Sequence, residues 1–405
     1  MNYDVLIVGG GAAGFFAAIH TARFNPSLKI AILERGTDVL TKVKVSGGGR
    51  CNVTHAEFDP KILTSYYPRG EKELLGPFHT FCSGDTMAFF DELGVELKIE
   101  DDGRIFPVSN SSQTIIEALL SEVNKLKIQV LTSQSVKNLL IEDHVWHIRT
   151  KKTEFRAKKV LIAAGSSLKI WDLLKKLGHT IIAPVPSLFT FNIKDQRIDG
   201  LAGLATYAEI KVLTDKSLFA DGPLLITHWG MSGPAILKLS AWGARILNDL
   251  NYHFTIQVNF IPEESIETVG ITFDKMRKDK GRQRIVAKPL FNVPKRLWQQ
   301  LVTFADIDQN LKWADLAKEK RKKLVDVLLA SKFQVDGKST FKEEFVTAGG
   351  VDLKEINFKT FESRKLPNLF FAGEVLNVDA ITGGFNFQNA WTGGYIAGKA
   401  LASAE

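Results

Sequence analysis

The sequence predicts an α/β fold built on a parallel sheet and interrupted by a long insertion. Three observations carry this: an apolar run near the start that ends in a glycine cluster and a helix, a second glycine-ended apolar run near the C-terminus, and strand-like then strongly basic helical sequence between them. The 405 residues suffice for two or three domains. With 45% hydrophobic and 24% charged residues the chain can bury a substantial core, which excludes a disordered polypeptide.

The first element is Asp4-Val-Leu-Ile-Val8, a β-branched-rich run that reads as a buried parallel strand. Gly9-Gly10-Gly11-Ala12-Ala13-Gly14 and the helical stretch Phe15 to Phe24 follow at once. In this order Gly9 allows a tight turn, Gly11 lets backbone approach a pyrophosphate, and Gly14 lets the helix pack on the sheet. The pyrophosphate then sits on free N–H groups at a helix N-terminus. A second strand, Lys29 to Leu33, ends at Glu34, 20 residues beyond Gly14. A carboxylate there takes adenosine ribose hydroxyls and disfavours a 2′-phosphate, so the motif prefers FAD or NAD over NADP.

Thr41 to Asn52 carries a further glycine run, Gly47-Gly48-Gly49, flanked by Lys42, Lys44 and Arg50. Such a loop brings backbone N–H groups near an anionic or electron-rich ring. Ile128–Leu131, Val136–Ile141, Val145–Arg149 and Phe155–Ala157 alternate between polar turns and read as a β-meander. It returns through Val160–Ala163 to the small residues Ala163-Ala164-Gly165. Near the C-terminus Leu369-Phe-Phe-Ala-Gly373-Glu374 reads as a strand ending in glycine plus acid, and Gly383-Gly384-Phe385-Asn386-Phe387 opens a helix that runs through Gly393, Gly394 and Gly398. Glu374 is placed to hold a ribityl hydroxyl, and the helix N-terminus to face the pyrimidine edge of a flavin. FAD therefore outranks NAD, and NAD(P)H, with no second G-x-G-x-x-G after a strand, is expected only as a transient reductant.

The stretches SGGGRCN at 46–52, THWGMSGPA at 227–235, VTAGG at 346–350 and LFFAGEVLNVDAITGGFNFQNAWTGG at 369–394 resemble the BaiN/YhiN-like flavoproteins, which include aminoacetone oxidase-like members. The resemblance spans essentially the whole chain. It implies bacterial cytoplasmic proteins with a Rossmann-like FAD-binding domain of the two-dinucleotide-binding type, an inserted β-barrel and a small helical subdomain. Carried onto this sequence, it implies FAD contacts at Gly9, Gly11, Ala13, Glu34, Arg35, Lys42, Gly48, Gly49, Arg50, Asn52, Val136, Ala164, Gly373, Glu374, Gly384, Asn386 and Phe387. His228-Trp229, Phe385 and Phe387 depart from the family pattern at places where a substrate is sensed.

Pro184-Val-Pro186 marks the start of the insertion. Leu188–Ile193, Thr206–Val212, Leu224–Thr227 and His253–Phe260 have strand character, Glu264 to Ser331 is basic and helical, and Phe333–Val335 returns to the barrel. The expected domains are 1–186 with 346–405 for FAD, 187–263 with 332–345 for the barrel, and 264–331 for the helical subdomain. A small substrate is expected in a cleft between the insertion and the flavin. Lys275 to Lys332 holds 16 Lys/Arg against 6 Asp/Glu, a balance of +10 in a chain of net charge +7. Trp313 to Leu329 reads there as an amphipathic helix with a basic, solvated outer face, and nucleic acid is not the expected partner.

Two candidates for chemistry are Cys51, a low-pKa thiol beside Arg50 although a small buried cysteine packed near the ring is the favoured reading, and His228, a proton donor or acceptor or else a residue that caps a loop. Arg104, on an Asp101-Asp102-Gly103 hairpin turn, is a candidate for an acidic substrate group, and Asp379 either faces the cofactor or turns the chain. No metal is expected, for want of spaced ligands. Two cysteines without a C-x-x-C pair fit a reducing, cytoplasmic setting. Val5 to Ile19 is broken by glycines and lacks a basic leader, so neither signal peptide nor membrane anchor is expected. The function expected is an FAD-dependent oxidoreductase reducing a C=C or C=O bond of a small organic substrate with NAD(P)H. The alternatives are an amine oxidase using oxygen, and a flavoprotein with an RNA partner at the basic helices.

Overall fold

Strand Asn2–Val8 has parallel neighbours on both sides: Leu6 pairs with Ala31 of strand Ile30–Leu33 and with Val160 of strand Glu154–Ile162. A strand covered on both faces has no water side, which is why these segments are apolar without alternation. The computed structural model describes residues 1–340 and 346–403. Among them the main sheet runs Gln129–Leu131, Ile30–Leu33, Asn2–Val8, Glu154–Ile162, Leu369–Phe371, Glu362–Ser363, Ile356–Asn357. The first five are parallel and the last two joins antiparallel.

Helix Ala12–Phe24 links the first two strands, and helix Ser112–Lys125 leads to Gln129–Leu131. Ile128–Leu131, expected as the first run of the meander, is therefore corrected to a parallel strand of the main sheet. Alternation states which face of a strand is buried and not which partner it takes. The meander consists of Val136–Glu142, Val145–Thr150 and Glu154–Ile162. This last strand is a single element of nine residues, where the sequence suggests two runs, because its first half pairs with the meander and its second half with Leu369–Phe371.

Helix Phe385–Ala402 packs along Ala12–Phe24. A methyl group at Gly394 would stand 2.9 Å from Ala13 O and one at Gly398 2.8 Å from Ala17 O, so these glycines let the two backbones touch. Rings of Phe16, Phe81, Phe89 and Trp391 pack together beside that contact.

The described residues fall into two units, 1–185 with 346–403 and 186–340. The second has its own apolar core, from Phe189 to Val335. Its strands follow the order Ser331–Asp336, His253–Asn259, Ala205–Val212, Phe219–Ile226, Gly230–Ser232, Thr190–Asn192, Lys338–Ser339. The two ends of that order are separated in sequence only by Gly337, so the sheet closes on itself as a barrel. Ile210, Leu224, Ile226, Ile256, Val258 and Val335 alternate inward along its strands and are buried. Residues 341–345 of the expected barrel return, and 404–405, lie outside the described residues.

Helices Ile266–Asp279, Lys295–Phe304 and Lys318–Leu329 complete this unit. The one helix expected over Trp313–Leu329 is corrected to a 3-10 turn, Trp313–Asp315, and the helix Lys318–Leu329, divided where Leu316 and Ala317 are extended. Burial of Trp313 against Phe273, with ring centres 5.2 Å apart, fixes the first piece. Leu324, Val327 and Leu328 face the core while Lys318 and Lys322 are exposed. No helix among the described residues is long and apolar enough to cross a membrane.

Candidate functional site

The first glycine cluster divides by what each position meets. A methyl group at Gly9 (φ +121°) would lie 2.3 Å from Ala163 O, and one at Gly14 2.1 Å from Gly9 O. Both positions are fixed by packing of the turn itself. Gly11 differs: it is extended (φ −94°, ψ −171°), and a methyl group there would meet nothing within 4 Å. Gly11 is also the N-cap of helix Ala12–Phe24 without a side-chain cap, so no capping side chain takes up the first N–H groups of the helix.

Glu34 closes one side of this turn. Its Oε2 accepts the Gly10 N–H at 2.9 Å and its Oε1 accepts the Gly36 N–H at 2.7 Å. Arg35 beside it is exposed. The Gln134 N–H donates to Glu34 O at 2.8 Å, which brings the start of the meander, with buried Val136, alongside. Ala164, whose Cα would lie 2.9 Å from a methyl group at Gly9, flanks the opposite side.

The second glycine run is more ordered than a plain loop. Helix Thr41–Gly49 breaks at Ser46–Gly48, and Gly47, Gly48 and Gly49 all have positive φ. A methyl group at Gly48 or Gly49 would meet nothing within 4 Å among the described residues. Lys42 Nζ bonds Glu374 Oε2 at 2.5 Å, joining this segment to the end of strand Leu369–Phe371. Arg50 lies 3.9 Å above the Phe106 ring and pairs with Glu100 at 2.6 Å. Asn52 Oδ1 is buried and has no hydrogen-bond partner among the described residues.

Cys51, read as a candidate thiolate, is corrected to a packed thiol. It is fully buried, and burial pushes the thiol up to about 12 against a small opposing effect of Ser46. Arg104 stands on the hairpin between Leu97–Ile99 and Arg104–Pro107, where Asp102 at 2.7 Å and Glu100 at 3.4 Å take up its charge. That pairing weighs against Arg104 as a receptor for an acidic substrate.

The approach to the last helix is clamped from two sides, by residues whose types gave no motif in the sequence. On one side Arg69 holds the fully buried Asp379 carboxylate with two N–H groups, Tyr66 O accepts the Ile381 N–H at 3.1 Å, and Tyr67 OH donates to Phe385 O at 2.5 Å. Asp379 thus turns and anchors the chain. On the other side strand Thr54–His55 and the preceding Val53 supply three ties. His55 Nδ1 lies 3.1 Å from Gly383 O, Thr54 Oγ1 donates to buried Gln388 Oε1 at 2.6 Å, and Trp391 Nε1 donates to Val53 O at 2.9 Å. The Asn386 amide bonds both the N–H and the carbonyl of Ala380, at 3.0 and 3.1 Å, while Phe387 stacks on Trp391.

These pieces meet. A methyl group at Gly373 would touch Ala13 Cβ at 3.1 Å, and one at Gly384 would stand 2.9 Å from Asn52 Oδ1. With the Gly10–Glu34 and Lys42–Glu374 bonds, these contacts draw the predicted residues of the first unit into one region at the ends of the parallel strands. His228 belongs to the second unit, exposed on the tight turn where Thr227 and Gly230 exchange backbone hydrogen bonds. Among the described residues no His, Cys, Asp and Glu group has the arrangement of a metal site.

FAD fits what is present. The open Gly11, Gly48 and Gly49 leave room for backbone to approach a dinucleotide, Glu34 is positioned for ribose hydroxyls, and the unpartnered Asn52 Oδ1 offers an acceptor. In class, then, the chain is an FAD-dependent oxidoreductase. It belongs to the HI0933-like family: the HI0933-like protein Rossmann domain matches residues 3–400.

Among characterised relatives, the chain is 30% identical over 407 residues to the 3-dehydro-bile acid delta(4,6)-reductase of Clostridium scindens, covering 98% of each. It is 26% identical over 416 residues to the ribosomal RNA dihydrouridine synthase of Escherichia coli K12, covering 100% of this chain and 99% of the relative. In fold it is similar to the 3-ketosteroid-delta4-(5alpha)-dehydrogenase of Rhodococcus jostii, with a TM-score of 0.56 and 12% identity over 100% of this chain and 97% of that one.

Proposed function

We propose that this flavoprotein reduces a carbon–carbon double bond conjugated to a carbonyl group, at the expense of NAD(P)H. One observation carries the reading: two full-length relatives bear names for chemically unlike substrates, a 3-keto bile acid and a uridine in RNA, and the chemistry common to both names is saturation of a double bond conjugated to a carbonyl. FAD, when bound, supplies a two-electron carrier between the nicotinamide and the acceptor. Hydride from NAD(P)H ends on the β-carbon of the substrate and a solvent-derived proton on the α-carbon, leaving NAD(P)+ and the saturated carbonyl compound. Gly9, Gly11, Ala13, Gly14, Glu34 and Arg35 would hold the adenosine and pyrophosphate half of FAD. Lys42, Gly48, Gly49, Arg50, Asn52, Gly373, Glu374, Gly384, Asn386 and Phe387 would hold the flavin half, with Val136 and Ala164 flanking. His228 is the candidate proton donor on the second unit.

A small organic substrate is the first reading. A second, an RNA uracil, is favoured by the basic helices: Lys275, Lys278, Lys280, Lys318 and Lys322 are exposed and form no ion pair with another described residue. Anaerobic mixing of the flavin-loaded protein with NADH and NADPH tests the electron source. Bleaching by either, followed by reoxidation with a conjugated enone, is expected; bleaching by aminoacetone and by neither nucleotide would make the protein an amine oxidase. Dihydrouridine appearing in an RNA transcript, detected by mass spectrometry and abolished by charge reversal at Lys318 and Lys322, would select the RNA reading.

A further inference from the structure

The helix Phe385–Ala402 starts without a side-chain cap, and its N-cap Gly384 has φ +95°. Its first-turn N–H groups therefore depend on the path of the two preceding glycines for their direction. That path is set from outside. His55 Nδ1 lies 3.1 Å from Gly383 O, and a carbonyl can only accept, so Nδ1 carries the proton. The imidazole is fixed in its plane by packing: its ring centre lies 4.5 Å from that of Phe385, which stacks in turn on Tyr66 at 4.3 Å with an interplanar angle of 13°. On its far side the ring meets Gly103, where a methyl group would come 2.6 Å from Nε2.

A trans peptide puts its C=O and N–H on opposite sides. Holding Gly383 O against His55 therefore turns the Gly384 N–H away from the imidazole, and this N–H has no acceptor among the described residues. We propose that His55 is a positioning residue for the cofactor: by fixing the Gly383 carbonyl it keeps the Gly384 N–H, and with it the uncapped first turn of the last helix, available to FAD. The inference rests on the FAD reading of the site and adds to it a residue outside every glycine motif. Burial lowers the imidazole pKa, although Gly383 O and the Asp102 and Glu57 carboxylates oppose this while Arg104 reinforces it, which favours a neutral ring that donates from Nδ1.

The variants His55→Phe, His55→Gln and His55→Asn separate donor from ring. Phe keeps the stack and removes the donor. The amide nitrogen of Asn occupies the place of Nδ1, and that of Gln the place of Nε2. The dissociation constant for FAD, from quenching of flavin fluorescence, and the flavin midpoint potential are measured for each and for the unaltered protein. Loss of one neutral hydrogen bond predicts about fivefold weaker FAD binding in His55→Phe and His55→Gln, with recovery toward the original value in His55→Asn. Gln reads the same question where Phe does not fold, as judged by circular dichroism. Equal affinity and potential in all four proteins would overturn the role of His55 alone, whereas an unaltered protein that takes up no FAD would overturn the cofactor reading beneath it.

Discussion

Glu34 accepts the Gly10 N–H at 2.9 Å, so the carboxylate at the end of the second strand is tied into the glycine turn at the end of the first. In the proposed FAD site the same carboxylate would also meet the adenosine ribose, with lone pairs left over from its bonds to Gly10 and Gly36. Glu34→Ala removes both. The expected result is at least a tenfold rise in the FAD dissociation constant, read by fluorescence, since bonds to a charged acceptor contribute about 1.5–3 kcal/mol. Glu34→Gln, which keeps one acceptor oxygen, should fall between. Undiminished FAD retention in Glu34→Ala would show that the ribose is held elsewhere.

Arg69 and Asp379 make a second separable pair. Asp379 is fully buried, and Arg69→Met removes its cationic partner. Removing the cationic partner of a buried carboxylate costs about 3–5 kcal/mol. Thermal unfolding should therefore show a large loss in Arg69→Met and a smaller one in Asp379→Asn, which removes the charge along with the bond. Equal losses would mean that geometry, and not charge, decides the stability of this turn.

Acid should weaken the first unit through one cluster. Burial would raise the Glu355 carboxyl, but Lys365, Thr180 and His179 bind it and hold it down to about 2 from 4.5. The unfolded chain thus takes up this proton at higher pH than the folded one. The stabilisation is complete above 4.5 and is lost as pH falls toward 2. His179, lowered by burial, acts in the same direction from 6.5 downward. Urea midpoints across this range should decline steeply in the unaltered protein and less steeply below 4.5 in Glu355→Gln; superimposable profiles would remove Glu355 from the account.

The cysteines should differ in reactivity. Cys51 is fully buried with its thiol near 12, whereas Cys82 is partly exposed. A thiol reagent should label one group in the native protein and two after unfolding, and Cys51→Ala should keep its FAD. Loss of flavin reduction in that variant, with the flavin still bound, would restore Cys51 to the chemistry.

What the sequence made legible follows from what each signal encodes. Strand, glycine turn and helix at 4–24 are local, so the βαβ unit and the packing roles of Gly9 and Gly14 were readable. The partner of Ile128–Leu131 was not, since pairing is set by the intervening helix and the sheet order. Nor were His55, Thr54 and Arg69: each acts on a residue about 310–334 positions away, and their types carry no motif. The choice between the two readings of Cys51 has the same origin, because an adjacent arginine in sequence says nothing about burial.

The glycine turn offers the sharpest separation of folding from binding. At Gly9 an added methyl group meets Ala163 O at 2.3 Å and the backbone has φ +121°, so Gly9→Ala must distort the sheet end and should lower stability whether or not FAD is present. At Gly11 the backbone is extended, as any residue allows, and the methyl group meets no atom of the described residues within 4 Å. Gly11→Ala should therefore unfold like the original chain when both are freed of flavin, yet bind FAD far more weakly, because its methyl group meets no described residue and would stand where the proposed pyrophosphate approaches. Calorimetry of the flavin-free proteins and FAD titration of the same samples measure the two quantities independently. Unimpaired FAD binding in Gly11→Ala would place the pyrophosphate away from this turn, and an unfolding defect there would mean that the open space is closed by the protein itself.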